Sequence, residues 1–376
     1  MGALEGVRVL DLTHAHAGPI CTMYMAAMGA EVIKIEPTWG EMTRFFPPLI
    51  KGVSPYFTFV NRAKKGVTLN LKSPRGLEIF KKLVKISDVV VENFSPGTME
   101  ELGLGWETLR ELNPKIILAS ISGFGHTGPW ASRRSFDPIA QAASGYMWLM
   151  KESIDPDGPP LQAPEAIADT IPGFIALIGI LSALINRSKT GKGQRIDVAQ
   201  MDAMIAVFQS FSFWHLAKTT FSKAVSSYGV GVSGCYKAKD GYIMFSLPPG
   251  RITEWFKQLL DVDELIEEKV AEWIGERTVK EVDDTLAESG IPVSPVHDLD
   301  QVFTNEQARA REMFVKINHQ VLGEITLPGF PIKFSETRGD LFTPAPSLGQ
   351  DNEEVYKTLI GLVDSDLENL RKEGVI

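Results

Sequence analysis

Cysteine is nearly missing: the 376 residues hold only Cys21 and Cys235, far apart and outside any Cys-x-x-Cys or Cys/His spacing. That pattern excludes a disulfide framework and a zinc site and suits a reducing cytosol. A basic excess is missing too. Lys and Arg number 38 against 47 Asp and Glu, giving a net charge of −9 and a pI near 5.3, so there is no cationic face to replace phosphate counterions and a general nucleic-acid binder is excluded. Small anionic ligands stay open through local basic residues. The amino terminus, Met1 to Arg8, lacks a charged-then-apolar leader, and Gly6 spoils the acylation pattern that Gly2 suggests. No apolar run reaches the roughly 18 to 20 residues needed to cross a bilayer. The longest, Phe174 to Ile185, reads as a buried helix. Repeats and low-complexity tracts are absent from the pattern. What remains is a cytoplasmic, enzyme-sized chain with one large domain and a second, smaller one, and with neither membrane nor nucleic acid as partner.

What is present is alternation. Val7-Arg8-Val9-Leu10-Asp11-Leu12 is a short β-branched run, a loop with Gly18-Pro19 follows, then an apolar helix from Cys21 to Met28 and the strand Ala30 to Ile35. The same order returns when Leu77–Val84 leads into Asp88–Val91 and Trp106–Leu112 leads into Lys115–Ser120. Such alternation predicts an α/β fold with a parallel sheet covered on both faces. In such folds ligands sit at the carboxyl ends of the strands. The loops after Leu12, Ile35, Val91 and Ile121 are therefore where chemistry is expected.

From Asp169 to about Ala217 the pattern reads as mainly helical, broken by Lys189-Thr190-Gly191-Lys192-Gly193. Two short strands, Gly234–Ala238 and Tyr242–Ser246, flank Lys239-Asp240-Gly241, whose Asp-Gly pair favours positive φ in a hairpin turn. These shifts place a large domain at 1–200, a linker at 201–227, a small α/β domain at 228–325, and a return segment at 326–376 that ends in one helix, Asn352 to Lys372, and completes the large domain.

Asp169 is the residue most in need of a reason, because it is a lone carboxylate at the threshold of the apolar helix Phe174 to Ile185. That helix is apolar on every face, so other protein is expected to wrap it. As an N-cap, Asp169 would accept orphan amides of the first turn. As a nucleophile, it would attack an acyl carbon and hold the acyl group as an anhydride. Gly123-Phe124-Gly125-His126-Thr127-Gly128 matches GxGxxG after a strand, but Pro129-Trp130 follows at once and no helix pattern opens within the glycines, so a dinucleotide site is rejected. His14 and His16 lie directly after the first strand. Each reads as a hydrogen-bonded structural histidine, with substrate contact open because of its carboxyl-end position.

Leu4–Leu12, Ala17-Gly18-Pro19, Gly29–Glu36, Asn61–Lys65, Glu92-Asn93-Phe94 with Pro96-Gly97, and Gly290–Val293 occur in an order and spacing that resembles the family III CoA-transferases, nearly end to end. The resemblance implies a Rossmann-like large domain, a small α/β domain and an interlocked homodimer, with linkers near 185–228 and 325–350 allowing two subunits to thread through each other. It implies that CoA moves from an acyl-CoA to a free carboxylic acid in a ping-pong exchange, with CoA as substrate and no permanently bound cofactor or metal. Asp169 takes the family's nucleophile position, through aspartyl anhydride and aspartyl-CoA thioester intermediates. His16 falls in the loop where relatives carry a glutamine and would donate to an oxyanion; Tyr56 and Asp137 match further active-site positions. For CoA the resemblance points to His14, Ala17, Leu69, Lys72, Asn93, Phe94 and Arg134, the last for a phosphate. Read by itself, Arg134 with Arg133 is an ordinary solvated charge.

Departures from the family pattern are Ser95 and Glu101 where relatives often carry arginines, Pro37 in place of a basic residue, and Ser246–Arg251 where formyl-CoA transferase has a glycine-rich loop. The same scaffold serves α-methylacyl-CoA racemases, which use a histidine in the segment corresponding to Ser135-Phe136-Asp137. Phe136 cannot shuttle a proton. Transfer therefore ranks above racemisation, and above a non-catalytic CoA-binding role.

Overall fold

Strand β1, Arg8–Asp11, lies inside a six-stranded, fully parallel sheet of order β3-β2-β1-β4-β5-β6. The computed structural model describes residues 2–219, 233–247 and 250–376. Its chain runs β1, α1 (Ala17–Ala27), β2 (Glu31–Glu36), α2 (Pro55–Val60), β3 (Lys65–Thr68), α3 (Pro74–Lys85), β4 (Val89–Glu92), α4 (Thr98–Glu101), α5 (Trp106–Leu112) and β5 (Ile117–Ser122). Then follow α6 (Asp137–Ala143), α7 (Tyr146–Ile154), α8 (Ile167–Thr190), β6 (Arg195–Ala199) and α9 (Gln200–Val207). Every inner strand is buried on both faces, which is what a parallel sheet between helix layers requires. Alternate residues serve the two layers. Val9, Val32, Val89 and Ile117 join α1 and α8 in one core, while Leu10, Ile33, Val90 and Leu118 join α3, α5 and the C-terminal helices in the other.

The mainly helical reading of 169–217 holds, with one addition: Arg195–Ala199 is the sixth strand, paired Leu118 to Arg195 through Ser122 to Ala199. It is an edge strand, and its charged residues hide the apolar signal. The four-residue β3 at the opposite edge escapes the alternation for the same reason. Most of the stretch read as a 201–227 linker and described here is helical too: α9 runs to Val207, and α10 (Ser210–Ala217) follows. The remainder, 220–227, and the expected start of the small domain at 228 lie outside the described residues.

Helix α8 differs from its expectation in two ways. It runs 24 residues rather than 12, long and apolar enough by length and composition to cross a bilayer, and it is not wrapped on every face. Ala176, Ile180 and Ala183 are buried, whereas Ile178 and Ile185 are 58% and 60% exposed. Its inner face meets α1 closely, because Gly173 has no Cβ: one built there would stand 2.3 Å from Ile20 Cγ2 and 2.5 Å from the Ala17 carbonyl.

Contacts divide the chain into a unit of 1–208 with 310–376 and a unit of 209–309. The hairpin β10 (Phe314–His319) and β11 (Gly323–Pro328) thus belongs to the first unit, where composition put the division at 325. The expected final helix is two, Asn352–Ile360 and Asp364–Lys372, parted at Gly361 with φ +71°. They close the β3 edge: Asn352 Oδ1 accepts from Thr68 N, and the Tyr356 hydroxyl donates to the Thr68 carbonyl, both at 2.8 Å.

The second unit holds an antiparallel sheet, β7 (Gly234–Lys237), β8 (Tyr242–Phe245) and β9 (Val293–Pro295), covered by helices that bury Phe256, Ile274 and Leu286. The predicted hairpin is there. Its turn, however, uses no positive φ at Asp240 or Gly241; Asp240 Oδ1 instead accepts from Val279 N at 2.7 Å, at the start of helix Val279–Glu288. Of the Ser246–Arg251 segment, Pro248 and Pro249 lie outside the described residues.

Candidate active site

The strand order reverses between β1 and β4, so the loops leaving these two strands diverge and open a crevice at the carboxyl edge of the sheet. A cavity of about 310 Å³ occupies that place. His14, Ala15, His16 and Ala17 line it from the β1 loop, Asn93, Phe94, Ser95 and Pro96 from the β4 loop, and Ser122, Gly123 and Arg133 to Phe136 from the β5 side. Asp169 and Gln200 complete it.

The β1 loop is held by buried charge. Asp11 and Lys34 are inaccessible to solvent, and so is the Lys64 side chain. Asp11 Oδ1 accepts from Thr13 N at 2.9 Å, its Oδ2 accepts from Thr22 Oγ1 at 2.7 Å and from Lys64 Nζ at 2.9 Å, and Lys34 Nζ donates to the Thr13 carbonyl at 2.9 Å. Burial pushes the Asp11 carboxyl up, but the two ammonium groups and hydroxyl donors outweigh it and hold the group well below the ordinary carboxylate range. Downstream, Asn93 clamps His14 on both sides, accepting from its N–H at 2.8 Å and donating to its carbonyl at 2.7 Å. Between the histidines Ala15 sits at φ +61°, a conformation disfavoured for a residue with a Cβ. The loop is pinned firmly enough on both sides to keep it there.

Asp169 is the third residue of α8 and is 9% exposed. It is not the cap. Asp137 takes that part from the neighbouring helix, its Oδ1 accepting from Ala168 N at 2.7 Å while its Oδ2 accepts from Gln141 Nε2 at 2.6 Å. Asp169 is thereby left to face the crevice, where its Oδ1 accepts a hydrogen bond from Gln200 Nε2. Burial first, and the charge of Asp137 second, push the Asp169 carboxyl up to about 7, with the Gln200 bond opposing. Among the described residues no lysine or arginine forms an ion pair with it.

His16 is 8% exposed, and burial lowers its pKa to about 4, so the ring is neutral at pH 7. Its Nδ1 bonds the Tyr56 hydroxyl at 2.9 Å and its Nε2 bonds Thr170 Oγ1 at 3.0 Å. A neutral imidazole has one N–H and one lone pair. Both are engaged, so the ring fixes the β1 loop against α8 and has no proton free for an oxyanion in this state. This departs from the donor role expected for it.

Of the residues expected to meet CoA, His14, Ala17, Asn93, Phe94 and Arg134 line the crevice. Phe94 packs edge-on against the His14 ring at 5.5 Å. Leu69 and Lys72 do not line it: the Leu69 side chain is 2% exposed in the core, and Lys72 lies exposed on the loop after β3. Tyr56 and Asp137 stand one layer back, behind His16 and Ala168. Gly123–Gly128 forms an irregular loop, and the next helix is α6 at Asp137, as rejection of a dinucleotide site requires. Among the described residues no three His, Cys, Asp or Glu side chains gather to hold a metal. Sequence reasoning missed Gln200 and Thr170. Gln200 follows a carboxyl strand end, which would have flagged it had β6 been recognised.

A buried carboxylate with no ion-pair partner among the described residues stands at the switch point of a Rossmann-ordered α/β sheet, the place where enzymes with this sheet order carry their chemistry. Residues 4–352 match CoA-transferase family III, and the chain belongs to that family. It is 33% identical over 398 residues to a succinyl-CoA:glutarate CoA-transferase of Mus musculus, spanning 100% of this chain and 91% of that one. A formyl-CoA:oxalate CoA-transferase of Streptomyces coelicolor is 34% identical over 414 residues, spanning 100% and 99%. A CAIB/BAIF family protein from Brucella suis has a solved structure that superimposes with a TM-score of 0.83 at 29% identity, over 95% of this chain and 99% of that one. The chain is thus a CoA-transferase, with acyl-CoA and a carboxylic acid as its substrates.

Proposed function

We propose that Asp169 carries the transfer covalently, in a ping-pong exchange. Its carboxylate attacks the thioester carbon of the donor, expelling CoA thiolate and forming an aspartyl anhydride; the thiolate then attacks the Asp169 carbonyl, releases the donor acid and leaves an aspartyl-CoA thioester. The acceptor acid repeats the two steps in reverse. The observation that carries this reading is a buried carboxylate that faces the crevice with a pKa near 7 and, among the described residues, no ion-pair partner. Desolvation makes its ionised form a stronger nucleophile, and a site with little water protects an anhydride from hydrolysis.

Tyr56, through His16, and Asp137, through the α8 amides, hold that geometry. CoA would lie along His14, Ala17, Asn93 and Phe94 with a phosphate at Arg134, whose exposed guanidinium suits an anion. The exposed apolar face of α8 supports a homodimer, to be checked by sedimentation on dilution; a folded, active monomer would refute it. Phe136, 59% exposed at the crevice, offers no acid or base for racemisation. Succinyl-CoA is the first donor to try, since several relatives are named for it.

The test is mass spectrometry of the protein incubated with a panel of acyl-CoA thioesters and trapped with hydroxylamine, beside Asp169→Ala. A hydroxamate on Asp169 supports the reading and reveals the donors. No modification of Asp169 although CoA binds would sink it.

A further inference from the structure

We propose that Gln200 is a catalytic residue that assigns different tasks to the two oxygens of Asp169: Oδ2 attacks, and Oδ1, held by the Gln200 amide, becomes the oxyanion when CoA thiolate attacks the enzyme. This inference rests on Asp169 being the covalent nucleophile. Gln200 is 6% exposed, begins α9 directly after β6, lines the crevice and donates from Nε2 to Asp169 Oδ1. Gly123 in the β5 loop packs beside it. Met201 N donates to the Gly123 carbonyl at 3.1 Å, tying the start of α9 to the β5 loop, and Gly123 lies so close that a Cβ there would stand 3.5 Å from Gln200 Oε1 and 2.2 Å from Ser135 Cβ.

Neighbouring side chains are committed elsewhere. Both ring nitrogens of His16 are engaged, the Tyr56 hydroxyl is bonded to one of them, and Asp137 accepts rather than donates. Among the described residues, Gln200 is therefore the side-chain donor that reaches the Asp169 carboxylate. The chemistry follows from that contact. In the first step the Oδ2 lone pair forms the bond to the donor acyl carbon, and the thioester C–S pair leaves with CoA thiolate; the negative charge at that moment sits on the donor's carbonyl oxygen, away from Gln200. In the second step sulfur bonds to Asp169 Cγ, the C=O π pair moves onto Oδ1 beside the Gln200 N–H, and collapse breaks the Cγ–Oδ2 bond and expels the acid as a carboxylate. Gln200 thus stabilises the second transition state more than the first.

The experiment measures two events in single turnover with a donor acyl-CoA that loads Asp169 in the wild type: release of thiol and appearance of the CoA adduct on Asp169. Gln200→Met keeps the length of the side chain and removes the donor. Gln200→Leu is the second variant, likewise without a donor or a charge, should the first fold poorly. The expected result is thioester formation and overall turnover slowed by about 10²- to 10³-fold, with thiol release slowed far less and with the acidic limb of kcat/KM moved to higher pH, because the bond that lowers the Asp169 pKa is gone. Equal slowing of both events with an unmoved limb would mean a structural role and overturn the proposal, as would wild-type rates in both variants. Absence of any adduct on wild-type Asp169 is a different failure: it removes the covalent reading itself, and this assignment with it.

Discussion

The two walls of the crevice are built on opposite plans. On one side the β1 loop is immobilised by Asp11, Lys34, Lys64 and Asn93, all buried or half-buried and every one hydrogen-bonded to it or to its anchors. On the other, the stretch from Phe124 to Phe136 is tied down only at its start, where Gly125 N and His126 N donate to Ser122 Oγ and Asp197 Oδ2, both at 3.0 Å, and from Thr127 onward it is mostly exposed, with Phe124 edge-on to Trp130 at 5.3 Å and Arg133 over the Trp130 ring at 4.1 Å. Reacting groups need fixed positions to within a fraction of an ångström, whereas a long anionic ligand needs only charge and an adaptable surface. On the proposed mechanism the pinned wall and α8 would fix the reacting groups and one side of the CoA path, and the open wall would add the phosphate contact at Arg134. Substitutions on the two should then separate into effects on kcat and stability and effects on KM.

The largest effect is expected at Asp169. Replacing it with Ala should lower transfer by more than about 10³-fold while CoA binding, measured by calorimetry, stays within a few-fold. The same carboxylate costs stability. Its pKa is raised from 3.8 to about 7 on folding, so the folded state holds a proton that the unfolded state has lost, and stability falls as pH rises through that window. Asp169→Asn should therefore raise the urea midpoint relative to wild type at pH 8, with little gain at pH 4. An equal gain at both would contradict the shifted titration. Next comes Lys64→Met, which leaves Asp11 buried without its closest cation; a loss of roughly 3 to 5 kcal/mol is expected from chemical denaturation. An ordinary stability for this variant would mean that the β1 loop is not held by the buried charges.

How much of this could be read from sequence follows from where each signal lives. Strands β1, β2, β4 and β5 sit inside the sheet and are legible from their Val, Ile and Leu content, even with Lys34 inside β2; the edge strands β3, with Gly66 beside Lys65, and β6, where Arg195 and Asp197 alternate with Ile196 and Val198, offer too little of it. Asp169 stands out because a charge beside an apolar helix is locally anomalous. Gln200 does not stand out, since a glutamine at a helix start is ordinary and its meaning arises only when α9 is brought against α8. The same holds for Asp137, whose capping of α8 joins positions 31 residues apart. The bare side of α8 was also illegible: an apolar helix looks the same in sequence whether its own chain or a second one covers it.

Two smaller effects test the pinned wall. His16→Ala removes the bridge between Tyr56 and Thr170 and should cost about 10- to 100-fold in kcat with KM little changed, measured by steady-state kinetics with the donor the panel identifies. Asp137→Asn removes the negative charge that raises the Asp169 pKa while keeping an acceptor for Ala168 N. Its acidic limb in kcat/KM should move to lower pH, opposite to the Gln200 variants; a shift to higher pH would show that Asp137 is not acting through its charge.

The smallest effect belongs to the open wall and tests the comparison most directly. Arg134 lines the crevice and is exposed, and Arg133 differs from it in being stacked on Trp130. Arg134→Ala should raise KM for acyl-CoA a few-fold with kcat and thermal midpoint unchanged, because a solvated guanidinium contributes attraction and little packing. Salt provides the control. Raising ionic strength to about 0.5 M shortens the Debye length to a few ångströms and should bring the wild-type KM toward that of the variant. A fall in kcat instead would place the open wall within the reaction geometry and erase the division between the two sides.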